Sequence, residues 1–76
     1  MNKPRRKRLE EAMSLLQDAM LILEEVKDEE EEAYNNMPES LQYSERGEQM
    51  EEYINNLEEY MDNISEAIDG IEEIIG

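Results

Sequence analysis

The chain has 76 residues, neither cysteine nor histidine, and 22 acidic against seven basic residues, which gives a net charge of -15. One small domain is therefore expected, and disulfides, the usual zinc sites and histidine-based catalysis are excluded. The longest apolar run, residues 19–23, is too short to span a bilayer, and the basic start is not followed by an apolar run. We predict a cytoplasmic protein without a membrane helix or a signal peptide.

The positive charge is concentrated at one end. Five of the seven bases are Lys3, Arg5, Arg6, Lys7 and Arg8. The remaining chain carries 22 acids and two bases, a charge of -20. Direct nucleic-acid binding by this acidic body is disfavoured because phosphates are repelled. A partner protein with a basic surface is favoured instead.

A first amphipathic helix is predicted up to about residue 36. Asn2 is a suitable N-cap, and Pro4 suits the first helical turn. Five consecutive acids at residues 28–32 interrupt the apolar pattern, with Glu30 at a core position, and Ala33 restores it. The core positions are Leu9, Ala12, Leu16, Ala19, Leu23 and Val26, with Met13 and Met20 on one shoulder and Leu15 and Ile22 on the other.

A break follows, because Pro38 removes a backbone donor and disfavours helix at the preceding residue. Ser40 and Ser44 are both candidate N-caps for a second helix. The predicted organisation is a basic N-terminal arm that starts the first helix (residues 1–8), an acidic amphipathic first helix (9–36), a turn (37–43) and a heptad-repeat second helix (44–76).

The second helix repeats one heptad more than three times, beginning with Glu-Glu-Tyr-Ile-Asn-Asn-Leu at residues 51–57. Steps of four and three place the core positions on one stripe of the helix. These positions are Met50, Ile54, Leu57, Met61, Ile64, Ile68, Ile71 and Ile75, and a second row contains Tyr53, Tyr60, Ala67 and Ile74.

The predicted fold is all-α: an antiparallel two-helix hairpin with heptad, coiled-coil-like packing. This topology would bring the basic arm beside Glu66, Asp69, Glu72 and Glu73, where part of the cluster would neutralise the acids. The apolar faces are wider than one helix pair can cover. We therefore predict a homodimer that forms a four-helix bundle; the alternative is a monomer completed by a different protein. The residues predicted to mediate self-association are Leu16, Met20, Leu23, Leu57, Met61 and Ile64.

Pairs of glutamates recur at multiples of seven and form rows of carboxylates along a rigid rod. Such rows imitate a phosphate backbone and suit the nucleic-acid groove of a basic protein; the alternative is a solvated surface that serves solubility. The candidate partner-binding residues are Glu24, Glu25, Glu51, Glu52, Glu58 and Glu59. No metal or other cofactor is expected, because neither a di-iron Glu-x-x-His pair nor an EF-hand loop is present.

The turn segment Asn-Met-Pro-Glu-Ser-Leu-Gln-Tyr-Ser-Glu-Arg-Gly-Glu (residues 36–48) lies between Leu-Glu-Glu-Ala and Glu-Glu-Tyr-Ile heptads. In this pattern the chain resembles short acidic helical-hairpin proteins encoded by phages and mobile elements of Gram-positive bacteria, which mostly lack an assigned function. The resemblance implies a small phage-type accessory protein in a bacterial host cell. In that setting, small acidic proteins often bind and block a host nucleic-acid enzyme.

Catalysis is not expected, because a slender hairpin offers no cleft that would hold two carboxyls in different environments. The leading hypothesis is a non-enzymatic acidic interaction module, a phage-type inhibitor that binds a basic nucleic-acid-processing or defence protein by mimicking nucleic-acid charge. The alternative is a structural or assembly bundle whose acidic surface serves only solubility. The sequence leaves open the identity of the partner, the bundle topology and a separate role for the basic arm.

Overall fold

Three helices and no strands make up the protein in a computed structural model that describes all 76 residues. Helix α1 spans Lys3–Asn35, α2 is a single turn at Glu39–Gln42, and α3 spans Glu45–Ile75. The long helices α1 and α3 pack against each other in a rod of 58 × 15 × 13 Å. None of the helices combines the length and the apolar character needed to cross a membrane.

Helix α1 begins and ends with asparagine caps. The Asn2 side chain accepts a hydrogen bond from the Arg5 backbone N–H at 3.0 Å, which confirms the predicted N-cap. At the other end Asn36 is the C-cap, and its N–H donates to the Glu32 carbonyl at 3.0 Å. The acidic run at residues 28–32 remains helical, so its charge repulsion, a few tenths of a kcal/mol per close pair, does not interrupt the helix.

The connection between the long helices contains α2, a helical turn that the sequence analysis did not predict. Pro38 begins it, and its carbonyl accepts hydrogen bonds from the N–H groups of Leu41 at 2.8 Å and Gln42 at 3.1 Å. The Gln42 amide then donates to the carbonyls of Tyr34 at 3.0 Å and Met37 at 3.3 Å. The first of these bonds occupies a carbonyl in the last turn of α1, which has no partner within the helix, and the second occupies a carbonyl of the connection.

Ser44 is the N-cap of α3, whereas the other candidate, Ser40, lies within α2. The Ser44 hydroxyl accepts a hydrogen bond from the Gly47 N–H at 3.4 Å and donates one to the Leu41 carbonyl. Gly47 lies directly against α2: a Cβ atom there would be 2.1 Å from the Gln42 carbonyl oxygen. Only a residue without a side chain fits at that distance.

Burial is concentrated at the start of α3. Gly47, Met50 and Ile54 are the only buried residues of the chain, and α1 has none. Every later core position of α3, from Leu57 to Ile75, is half-buried. One helix pair therefore shields the apolar stripe only in part.

The stripe of α1 that faces α3 departs from the predicted heptad in its second half. Val26 and Ala33, both predicted core positions, are exposed, whereas the next residues, Lys27 and Tyr34, are half-buried. A straight α-helix drifts by about 20° per heptad relative to a strict seven-residue repeat. Val26 lies more than two heptads after Leu9. By that point the drift has moved the contact with α3 from the heptad position to the residue that follows it.

Candidate functional site

The helix pair has one side on which apolar residues remain exposed. Val26 of α1 lines a shallow groove with Tyr53, Leu57 and Tyr60 of α3. Tyr53 is 49% and Tyr60 is 55% exposed, although both rings adjoin the contact between the helices. The groove places the second row of α3 on the same side as Val26.

Further exposed residues extend this side along both helices. Leu15 and Ile22 precede Val26 by eleven and four residues, a spacing that keeps all three on one stripe of α1. Ile74 follows Tyr60 by two heptads and continues the row on α3. We call this surface the tyrosine side; its exposed members are Leu15, Ile22, Val26, Tyr53, Tyr60 and Ile74.

The opposite side of the contact is acidic. There Glu31 and Tyr34 of α1 line a groove with Glu51, Ile54 and Asn55 of α3. Two further glutamates, each one heptad away from one of the two groove glutamates, extend this surface away from the turn. We call this surface the acidic side; its members are Glu24, Glu31, Glu51 and Glu58.

The six candidate partner-binding glutamates are all exposed, but they form two separate rows. Glu24, Glu51 and Glu58 belong to the acidic side. Each of the other three follows one residue later and is therefore turned by about 100° around its helix, away from the helix contact. These outward residues are Glu25, Glu52 and Glu59.

Almost none of the negative charge is compensated within the molecule. Twenty of the 22 acidic residues are exposed, and the one ion pair joins Lys27 to Glu31 at 3.6 Å. Partial burial, followed by the Glu51 carboxylate, raises the pKa of the Tyr34 hydroxyl above its ordinary value of 10.0. The acidic side therefore disfavours any further negative charge.

The six predicted self-association residues lie at the helix contact, where all are half-buried. The exposed apolar residues include instead those of the tyrosine side, to which the predicted shoulder residues Leu15 and Ile22 belong. The four apolar columns of α1 and the second row of α3 were the signal for this surface. The sequence did not show which of those columns remains open.

The basic residues form no ion pair with α3, so the prediction that they neutralise Glu66, Asp69, Glu72 and Glu73 is wrong. Residues 1–8 are all exposed, and we call them the basic segment. The first turn of α1 contains no acid, so cations occupy the end of the helix where its dipole favours negative charge. This arrangement slightly destabilises α1 unless an anionic surface lies nearby.

No group of three or more acidic side chains is arranged to hold a metal ion. No protein-family model, curated protein or solved structure matches this chain. The resemblance to phage-encoded acidic hairpins therefore stays a prediction, and the function is argued from the two sides of the helix pair.

Proposed function

We propose that this chain is a non-enzymatic interaction module that binds a basic partner protein through its acidic surface. In this proposal α1 and α3 form an antiparallel hairpin with heptad packing, and two hairpins form a four-helix bundle. The observation that carries the proposal is the uncompensated charge: 20 exposed acids and a single ion pair on a narrow rod. An ordinary soluble bundle intersperses both signs of charge.

The antiparallel arrangement is supported by which residues share a groove. Near the end of α1, Tyr34 lies with Glu51 and Ile54. Earlier in α1, Val26 lies with later residues of α3, including Tyr60. Residues with lower numbers in α1 thus lie beside residues with higher numbers in α3, as in an antiparallel pair.

Dimerisation is supported by the small core. Three buried residues are few for a stable domain, since chains below about 70–80 residues rarely gain more than about 3–5 kcal/mol from a single core. Each large apolar side chain removed from water contributes about 1.5–3 kcal/mol. A second hairpin on the tyrosine side would therefore change a marginal fold into a stable one.

The charge density favours nucleic-acid mimicry. A charge of -15 over 58 Å is one negative charge per ~3.9 Å, compared with ~3.4 Å for one DNA strand. Two copies side by side would carry one per ~1.9 Å, compared with ~1.7 Å for duplex DNA. A basic groove that accepts nucleic acid would thus meet a similar linear charge on the dimer.

The partner proposed on this basis is a nucleic-acid-processing or defence protein of a bacterial host, in whose cytoplasm the module would act. Competition with the nucleic-acid substrate would make it an inhibitor. The resemblance of the turn segment to phage-encoded hairpins favours this setting.

Affinity capture tests the proposal. Tagged protein would be incubated with nuclease-treated bacterial lysate and eluted first with duplex DNA and then with salt. We expect a basic nucleic-acid-binding protein in stoichiometric amount in the DNA eluate, because both ligands occupy one groove. Retention that neither DNA nor salt reverses would contradict the proposal.

A charge-reversed variant supplies the matched control. Changing Glu51, Glu52, Glu58 and Glu59 to Lys should abolish capture, whereas Glu→Gln at the same positions should weaken it less. Circular dichroism and sedimentation must first show that both variants are folded and have the same oligomeric state. Capture that survives the reversal would rule out an electrostatic interface at these rows.

The alternative is a structural or assembly bundle whose acidic surface serves only solubility. It is supported by the distribution of the acids, which lie on the outward rows as well as on the acidic side. In that case the four reversals would be tolerated. Substitution of Leu16, Leu57 or Ile64, all half-buried at the helix contact, would abolish function instead.

A further inference from the structure

We infer that the tyrosine side is covered by a second copy of this chain in antiparallel orientation, so that the basic segment of each copy lies against the acidic turn end of the other. The inference rests on the proposed homodimer and deepens it by assigning the orientation. Three observations support it: the basic segment projects, the turn end is acidic, and neither has a partner within its own chain.

The basic segment projects because α1 extends beyond α3. The grooves place Val26 beside Tyr60 and Tyr34 beside Ile54. Continuing this register, Ile75 comes beside about residues 11–13, and residues 3–8, a length of roughly 9 Å at 1.5 Å per residue, lie beyond it. Exposure agrees, since Leu9 is the first residue of the chain that is even half-buried.

The projecting end offers a mixed surface. An open groove there is lined by residues 1–12 of α1 alone, with no contribution from α3. It combines the apolar Met1, Leu9 and Ala12 with the guanidinium groups of Arg5 and Arg8. Because no carboxylate lies within 4.0 Å of these cations, their charge is available to a surface outside the chain.

The opposite end of the rod has the complementary charge. Glu39, Glu45 and Glu48 surround the turn, are exposed and form no ion pair, and Arg46 is the one base there. This turn end and the basic segment lie at opposite ends of the 58 Å rod. They cannot meet within one molecule.

Two hairpins can join their tyrosine sides in either of two symmetric orientations. In the parallel dimer the two basic segments lie together at one end and the two acidic turns at the other, so like charges face each other. In the antiparallel dimer each basic segment lies beside the partner's turn end. A two-fold interface must be self-complementary, and charge complementarity selects the antiparallel orientation.

The size of the surface also suits a second copy. One long side of the rod, 58 Å by 13–15 Å, covers roughly 800 Å², which is the area that each partner contributes to a standard stable interface. The exposed apolar residues occupy the middle of that side. A partner can contact both the basic segment and the acidic turn end only if it is as long as the rod. A second copy of the chain has that length.

Pulsed dipolar electron spin resonance tests the orientation. The chain has no cysteine, so Ser40→Cys at the turn and Leu21→Cys near the middle of α1 each give one labelling site on an exposed residue. In an antiparallel dimer we expect a separation near 50 Å between labels at position 40, from 1.5 Å per residue. Labels at position 21 should be within about 35 Å in either orientation, since each helix is about 10–12 Å wide.

The three outcomes are distinct. A long distance at position 40 with a short one at position 21 supports the inference. Short distances at both positions mean a parallel dimer, which overturns the orientation and leaves the dimer of the proposed function in place. No dipolar signal at either position means a monomer, which overturns both the orientation and the proposed dimer, whereas the capture experiment tests binding of a basic partner separately.

A charge test addresses the same contact without labels. Arg5→Gln with Arg8→Gln should raise the dimer dissociation constant about fivefold at low salt, as loss of exposed ion pairs would. Lys27→Gln with Arg46→Gln removes the same charge outside the basic segment and should not raise it, because loss of Arg46 makes the turn end more acidic and so favours contact with the partner's basic segment. Sedimentation equilibrium measures both, and equal effects of the two pairs would overturn the inference.

Discussion

The two ends of the helix pair differ in how they are held together. At the turn end, Gly47, Met50 and Ile54 are buried, and Gln42 and Ser44 make the side-chain hydrogen bonds that join the three helices. At the open end nothing is buried and the basic segment projects. The chain therefore stabilises its turn locally, whereas its open end and tyrosine side stay exposed, and only the proposed dimer would cover them.

This difference separates two kinds of substitution. Changes at the turn end should alter the free energy of unfolding of the helix pair. If the proposed dimer forms, changes on the tyrosine side should alter association with little effect on the helix pair itself. The following predictions are ordered from the largest expected effect to the smallest.

Gly47→Ala should have the largest effect on folding. Its Cβ atom would lie 2.1 Å from the Gln42 carbonyl oxygen and 2.6 Å from that of Leu41, and both atoms belong to the backbone. We expect a loss of about 3 kcal/mol, at the upper end of overpacking costs, in urea unfolding followed by circular dichroism. Gly70→Ala is the control: its Cβ meets nothing within 4 Å and should stabilise α3 by up to about 1 kcal/mol.

Ile54→Ala and Ile74→Ala compare the buried and the exposed parts of α3. Ile54 is 9% exposed and Ile74 is 54% exposed. Loss of the buried side chain should destabilise the helix pair by about 2 kcal/mol, at the lower end of the cost of such truncations. Loss of the exposed one should leave dilute protein nearly as stable but weaken dimerisation measured by sedimentation. If the two changes destabilise dilute protein equally, the turn end is not held together more strongly than the open end.

Gln42→Ala should cost about 1–2 kcal/mol, because it removes two hydrogen bonds to the carbonyls at the end of α1. The unfolding transition in urea measures this loss. Gln17→Ala is a matched control in α1, since Gln17 is exposed and its side chain makes no hydrogen bond within the chain. If both variants unfold at the same urea concentration, the Gln42 bonds do not stabilise the turn end.

The smallest effect concerns the titration of Tyr34. Its pKa is raised in the folded protein, so folding favours the neutral hydroxyl below pH 10.0 and loses that contribution as the pH rises through the folded pKa. Glu51→Gln should move the pKa back towards 10.0, whereas Glu52→Gln on the outward row should not. Ultraviolet titration with the other three tyrosines replaced by Phe measures the shift. If the pKa of Tyr34 is unchanged in Glu51→Gln, burial alone raises it and Glu51 does not contribute.

Local features were predictable because their partners lie a few residues away. The caps at Asn2 and Ser44 follow from short polar side chains before each helix, and the half-buried stripe of α3 follows from the heptad spacing. Helix α2 was missed because Pro38 was read as a break in the helix, although its carbonyl also begins a helical turn. The requirement for glycine at position 47 was missed because it arises from α2.

Other features depend on how far each residue lies from the opposing helix. The register drift that exposes Val26 and half-buries Lys27 accumulates over several turns and is not visible in the heptad pattern. The failure of the basic segment to pair with α3 has a similar origin, since it follows from where α3 ends relative to α1. If α3 were shifted by a few residues relative to α1, its last turns would lie beside the basic segment.

By itself, the amino-acid sequence determined that this protein is helical, that its first helix is capped at Asn2 and that its surface is strongly acidic. Each of these properties depends on composition or on contacts within one helical turn. Only the tertiary structure decided which apolar column is covered, that the tyrosine side stays exposed opposite an acidic side, and that the basic segment forms no ion pair. Those outcomes depend on the relative position and rotation of two helices, which contacts distant in the sequence determine.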